Sequence, residues 1–234
     1  MSHSSSSHKQ IFHRRLLFLL IPVVLCTLFI WYVSDYYRAD EAAAAMLEKP
    51  FVEMRDSCIL LSPDTPTDTA LIFYPGAKVE ETAYLPLLEQ LRQEGLACIL
   101  VPMPFRMAIF DTDAALGIME QFPEFTHWYV GGHSMGGAMA SRFASDYPQL
   151  TEGVILLGAY PYGDYPIENT LTVYGSLNTG VAEKVDYTEN VTVIEGGNHA
   201  QFGNYGPQAG DPAATIPDTQ QQAIAVSAIV DFIA

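Results

Sequence analysis

Gly131-Gly132-His133-Ser134-Met135-Gly136-Gly137 stands between an apolar run ending at Val130 and a stretch of small residues with helical spacing. A Gly-x-Ser-x-Gly sequence in that setting joins strand to helix through a turn so sharp that the backbone at the serine is strained. Gly132 and Gly136, two residues to either side, remove the Cβ atoms that would collide with it. The hydroxyl of Ser134 is then held out at the edge of a sheet, as a nucleophile must be. The same letters can mark a loop that only packs a helix on a strand, but strand, turn and helix fall here in the order the chemistry demands.

Outward from this turn the chain alternates. Strands are predicted at 52–61, 69–75, 97–103, 127–133, 153–160, 171–176 and 191–196, with helices at 80–94, 107–120, 135–146 and 218–233. Two opening strands joined by the turn-rich Ser62-Pro63-Asp64-Thr65-Pro66, followed by β-α alternation, indicate an α/β fold with a mostly parallel sheet and helices on both faces. Ligands of such sheets bind beyond the carboxyl ends of the strands. Ser134, Pro75-Gly76-Ala77-Lys78 and Gly196-Gly197-Asn198-His199 all fall on that edge.

A serine hydroxyl needs a base within reach at neutral pH. Of the histidines beyond residue 50, His127 opens its strand at the wrong end, and His133 neighbours Ser134 in an extended segment, so its side chain points elsewhere. His199 follows the last strand, in the chain order nucleophile, acid, histidine. The acid should follow the strand ending at Ser176, where the sequence has Asn178; Glu183 and Asp186 are the nearby carboxylates that could replace it. An asparagine can orient an imidazole but cannot offset its charge. Donors to a developing oxyanion would be the N–H of Met135 and an amide of Ala77 or Lys78. Pro-Gly-Ala-Lys lacks the spacing of a phosphate-binding loop, and the cysteines lack that of a metal site. The reading therefore calls for no cofactor and no metal.

Four stretches carry a family resemblance: Phe73 to Glu80, Met103-Pro104-Phe105 with Ala108-Ile109-Phe110, Gly131 to Gly137, and Gly196 to Gly206. Across residues 51–234 the chain resembles the fold-5 type of α/β-hydrolase, related to dienelactone hydrolases. The resemblance implies an α/β-hydrolase fold with Ser134 and His199 in the nucleophile and base positions. The chain departs from the family at Ala77, where a glycine is usual, and at Asn178, where aspartate is usual; it also differs from dienelactone hydrolases proper in having serine rather than cysteine at the turn. Only Pro161 to Thr170 stands where many such proteins insert a lid, so the site is expected to be open. Tyr160, Tyr162 and Tyr165 would form an apolar rim. Lys78, Tyr160 and Gln201 are the candidate substrate contacts, although Gln201 and the polar residues after it would equally suit a closed Ω-loop.

Residues 16–33 carry no charge and are long enough for a transmembrane helix. Lys9, Arg14 and Arg15 precede them and Asp35, Asp40 and Glu41 follow, which puts the N-terminus in the cytoplasm. A cleaved signal peptide ending at Ala43-Ala44-Ala45 is the competing reading, with the alanines far from the apolar run. The expected organisation is a cytoplasmic tail at 1–15 that is disordered over 1–10, the span, a connecting stalk at 34–50, and the α/β domain at 51–234. The formal charge is −16, with all 27 acidic residues after the span, which argues against a nucleic-acid partner. Cys58 and Cys98 fit buried thiols better than a disulfide. The function expected is a membrane-anchored serine hydrolase acting on a small ester or thioester. A weakened relative that binds a ligand or an envelope partner is the alternative, and amide hydrolysis a third.

Overall fold

The computed structural model describes residues 4–234, with side chains from Phe18 onward, and divides into two compact units at Tyr36 and Tyr37. The first holds a helix, α1 (Ser4–Ser34), of 31 residues. It runs back through the Ser- and His-rich stretch expected to be disordered, because extending a helix that an apolar run has nucleated costs little per residue. Its described side chains are apolar on every side, with Phe18, Leu25 and Ile30 among those exposed. Among the described residues no helix is long and apolar enough to cross a membrane. The expected span begins at Leu16 and Leu17, whose side chains, like those of Lys9, Arg14 and Arg15, lie outside the described residues.

The second unit begins earlier than expected. Tyr37 bridges to Val79, exchanging backbone bonds with Lys78 and Glu80, and Asp40 caps a short helix, α2 (Glu41–Ala44), whose Ala43 is buried. Residues 37–50 are thus part of the folded domain and not a free stalk. The cause is pairing with residues about 40 and 164 positions further along the chain, which composition does not reveal.

Eight strands follow: β1 (Val52–Met54), β2 (Ile59–Leu61), β3 (Thr69–Tyr74), β4 (Ala97–Leu100), β5 (His127–His133), β6 (Gly153–Leu157), β7 (Thr170–Gly175) and β8 (Val191–Ile194). They form one sheet in the order β1-β2-β4-β3-β5-β6-β7-β8, parallel from β4 to β8 and antiparallel across β1, β2 and β4. The single strand expected at 52–61 is a hairpin broken at Arg55–Cys58, and the turn-rich segment carries the chain across β4 to β3 rather than joining neighbours.

Each central strand is buried on both faces, which is why β3 and β6 read as unbroken apolar runs. Side-chain alternation divides the core in two. Leu71, Phe73 and Tyr129 meet α3 (Leu85–Gln93) and α7 (Asp218–Ile233), whereas Ile72, Tyr74 and Val130 meet α4 (Ala114–Gln121) and α5 (Met135–Asp146). At roughly 1.5–3 kcal/mol for each large apolar side chain removed from water, these two layers hold the strands rigidly enough to fix the loops at their ends. Cys58 and Cys98 are both buried and unpaired. They face opposite sides of the sheet, so a bond between them would have to pass through it.

Candidate active site

Ser134 has φ +54° and ψ −122°, a conformation that costs of order 1–3 kcal/mol. The surroundings hold it there. Its N–H donates to the Leu157 carbonyl at 2.9 Å, and a Cβ at Gly136 would run into the carbonyls of Tyr74 and Pro75. Both obstacles are backbone and cannot move aside. The loop after β3 is therefore pressed against the start of α5, which brings Ala77 and Met135 into the same neighbourhood. Neither of their N–H groups is bonded elsewhere among the described residues, whereas the amide of Lys78 donates to the Arg106 carbonyl at 2.8 Å. Of the two amides considered in that loop, the one left available is Ala77.

His199 reaches the site by another route. Beyond β8 the chain turns at Gly196, where φ is +76°. The side-chain amide of Gln221 then grips the main chain of Asn198 from both sides, accepting from its N–H at 3.0 Å and donating to its carbonyl at 2.9 Å. Held this way, the His199 ring lies with Nε2 3.0 Å from Ser134 Oγ and Nδ1 2.8 Å from the Asn178 amide. Asn178 follows β7 and begins a single turn, α6 (Thr179–Ala182). A half-turn about its terminal torsion exchanges Oδ1 and Nδ2, so the amide can match either ring tautomer. Burial holds the His199 imidazole below the ordinary histidine range, partly opposed by the charge of Asp211. The ring is therefore neutral near pH 7 and becomes protonated only as the pH falls further.

Glu183 and Asp186 are exposed and neither bonds the His199 ring, whose two side-chain partners are Ser134 and Asn178. Gln201 turns away from the site. It donates to the Ile216 carbonyl at 3.2 Å, and its main chain bonds Asn198 and Gln222. These contacts close the loop, which is the structural role weighed for it. Tyr165 is buried with its hydroxyl donating to the Thr151 carbonyl, so the rim expected of three tyrosines is left with Tyr160 and Tyr162. Near Lys78, the Arg106 carbonyl accepts the Lys78 amide, and Phe105, Ile109 and Phe110 next to it in the chain are exposed.

His133 occupies a place that sequence reasoning passed over. Like Tyr129 it points to the α3/α7 face, where it is fully buried under His199 with ring centroids 4.5 Å apart. Its Nε2 is 2.9 Å from the His199 carbonyl, which can only accept, so Nε2 carries the proton and Nδ1 accepts from the Tyr84 hydroxyl at 2.8 Å. Tyr84 in turn accepts from the Gly76 N–H at 3.0 Å. Burial keeps His133 neutral, far below the usual histidine range. One chain of hydrogen bonds thus ties the Gly76-Ala77 loop to the backbone of His199. The alternation of side chains along β5 was the available signal.

A groove of about 320 Å³, lined in part by Asn178, His199, Gln208 and Asp211, opens beside the Asn178 side of the ring. A larger cavity, about 680 Å³ and lined in part by Asp56, Pro102, Asp111 and Ile118, includes none of Ser134, His199 or Asn178. The smaller groove borders His199 and Asn178, and Ser134 is not among its lining residues. Among the described residues no group of three or more His, Cys, Asp or Glu side chains is placed to hold a metal ion.

This sheet order, with a strained serine between β5 and α5 and a histidine beyond β8, defines an α/β-hydrolase. The model of the Alpha/beta hydrolase family matches residues 70–223, and the chain belongs to that family. It is similar to a dienelactone hydrolase from Anabaena variabilis, with 16% identity and a TM-score of 0.52 over 75% of this chain and 89% of that one. It is also similar to Est1E from Butyrivibrio proteoclasticus, with 14% identity and a TM-score of 0.54 over 78% and 97% of the two chains. A "Serine hydrolase-like protein" of Danio rerio is 33% identical over 64 residues, which are 27% of this chain and 19% of that relative's length.

Proposed function

We propose that the protein is a serine hydrolase that cleaves an ester-type bond, a carboxylic ester or thioester, through an acyl-enzyme. The observation that carries this reading is the hydrogen-bonded line from Ser134 through His199 to Asn178 at a strained turn. With Asn178 Oδ1 accepting from Nδ1–H, the free lone pair of Nε2 faces the serine. As Oγ attacks the carbonyl carbon its proton passes to Nε2, and the oxyanion is met by the N–H groups of Ala77 and Met135, each such donor being worth about 10²–10³ in rate. The tetrahedral species collapses, Nε2–H gives its proton to the leaving alkoxide or thiolate, and the acyl group remains on Oγ. Water then attacks the acyl-enzyme with His199 again taking the proton, which releases the acid and restores the serine.

Phe105, Ile109, Phe110, Tyr160 and Tyr162 would flank the acyl or alcohol portion as an open apolar rim, suited to small esters or to the exposed ends of larger acyl groups. Lys78 and Tyr160 stay as proposed substrate contacts. The uncharged run 16–33 is read as a membrane anchor with the N-terminus in the cytoplasm and the catalytic domain outside. The basis for this reading is the sequence: the run is uncharged, with Lys9, Arg14 and Arg15 before it and Asp35, Asp40 and Glu41 after it. The neutral Asn178 favours a second reading, a weakened hydrolase fold that binds a ligand without turnover.

A membrane-impermeant fluorophosphonate applied to intact cells producing the full chain tests both parts of the proposal. The chain is expected to become labelled without lysis. Labelling that appears only after lysis would reverse the orientation, and none under either condition would favour the ligand-binding reading.

A further inference from the structure

Although the ring of His199 has a neutral partner, a carboxylate sits beside its backbone. Asp211, in the loop leading to α7, accepts from the His199 N–H through Oδ1 at 3.2 Å and from the Ala200 N–H through Oδ2 at 2.8 Å. It is half-buried and shares the groove with Asn178 and His199. Each oxygen accepts a main-chain N–H, which holds the carboxylate and its charge at the imidazole's own residue.

The other titratable groups around the ring carry no charge near pH 7. From β5, His133 is buried and neutral, with its Nε2–H already given to the His199 carbonyl. Tyr84, before α3, and Tyr205, in the loop after His199, have hydroxyls that burial pushes well above their usual range. From α5 and the loop after β7, Ser134 and Asn178 are neutral. Asp211 is the charge that bears on the His199 imidazole, and it favours the protonated ring against the effect of burial.

We propose that Asp211 supplies the negative charge that Asn178 lacks. The work of a single aspartate is divided: Asn178 orients the ring and selects its tautomer, while Asp211, held by two main-chain amides, stabilises the imidazolium that forms as Ser134 is deprotonated. Asp211 acts through His199, as a positioning and electrostatic residue. The division accounts for a site with asparagine in the acid position whose serine, histidine and oxyanion-loop geometry is otherwise complete. The inference rests on the reading of His199 as a general base, but the charge itself can be measured without turnover.

The test is a pH titration of His199 by NMR in the full chain, ¹³Cε1-labelled at histidine in detergent micelles, paired with the rate of fluorophosphonate inactivation. Asp211→Asn is expected to lower the His199 pKa by about half a unit or more and to slow inactivation at pH 7 by about two- to threefold for each half unit of that fall. Asn178→Asp added to it should restore both, because the charge returns to the ring by a different route. An unchanged pKa in Asp211→Asn, or a slowed reaction that Asn178→Asp does not rescue, would make Asp211 a loop clamp only. If Asp211→Asn does not fold, the wild-type titration decides: the His199 resonance must show a second inflection as the Asp211 carboxyl protonates, and a single smooth transition overturns the proposal. A wild-type chain that shows the pKa coupling but never reacts with fluorophosphonate would count against the serine-hydrolase reading alone.

Discussion

Ser134→Ala is expected to lower kcat/KM for a short acyl ester by about 10³-fold or more, because the Ser134 hydroxyl is the group hydrogen-bonded to Nε2 of His199. Stability should change by less than about 1 kcal/mol. The hydroxyl is half-buried and its side-chain partner is His199, while the positive φ and the backbone bond to Leu157 survive the substitution. Loss of activity with an unchanged melting temperature is the signature of a group used for chemistry and not for packing. Turnover retained in the variant would move the reaction away from the strained turn altogether.

Asn178→Asp is expected to raise turnover by about tenfold or more. The present amide can accept from Nδ1–H but leaves the imidazolium without an adjacent charge, and aspartate would supply both. The gain should fall short of the roughly 10⁴-fold effect known for the reverse change in serine proteases, since Asp211 already provides part of the charge. Glu183→Ala and Asp186→Ala should alter the rate by less than about twofold, because both side chains are exposed and neither bonds the His199 ring. A rate unchanged by Asn178→Asp and abolished by either alanine substitution would withdraw Asn178 from the acid position.

The parts of the molecule legible in the sequence are those governed by local rules. β5 ends and α5 begins at the predicted residues, because the Gly-x-Ser-x-Gly turn admits few other arrangements; α7 also runs over 218–233 as periodicity predicts. The parallel order follows from β-α alternation. What escaped depends on contacts between residues far apart in the chain. The role of Asp211 rests on two amides eleven and twelve residues away, across a loop whose path no periodicity records. The strand alternation that turns His133 away from the serine also aims it at Tyr84 and the His199 carbonyl. Tyr165 read as rim by proximity to Tyr160 and Tyr162, but its hydroxyl found the Thr151 carbonyl in the core. The segment 37–50 looked like a stalk for want of apolar periodicity, and it is held instead by backbone pairing with residues 78, 80 and 204.

These findings give the Gly76 loop particular importance. A Cβ at Gly76 would lie 2.7 Å from His133 Nδ1 and 2.8 Å from the Tyr84 hydroxyl. Glycine is needed for close approach, and the approach couples the proposed oxyanion donor at Ala77 to the backbone that carries the base. A site assembled from three separate loops is thereby fixed as one unit, which electrostatic stabilisation of a transition state requires.

The central claim is that an acyl group passes through Oγ of Ser134. Its most direct measurement is mass spectrometry of the full chain quenched with acid during turnover of a p-nitrophenyl ester, followed by peptide mapping of the adduct. The account predicts an acyl group on the peptide containing Ser134, located at that residue and absent from Ser134→Ala. An adduct on any other residue, or ester turnover with no adduct at any quench time, would contradict it.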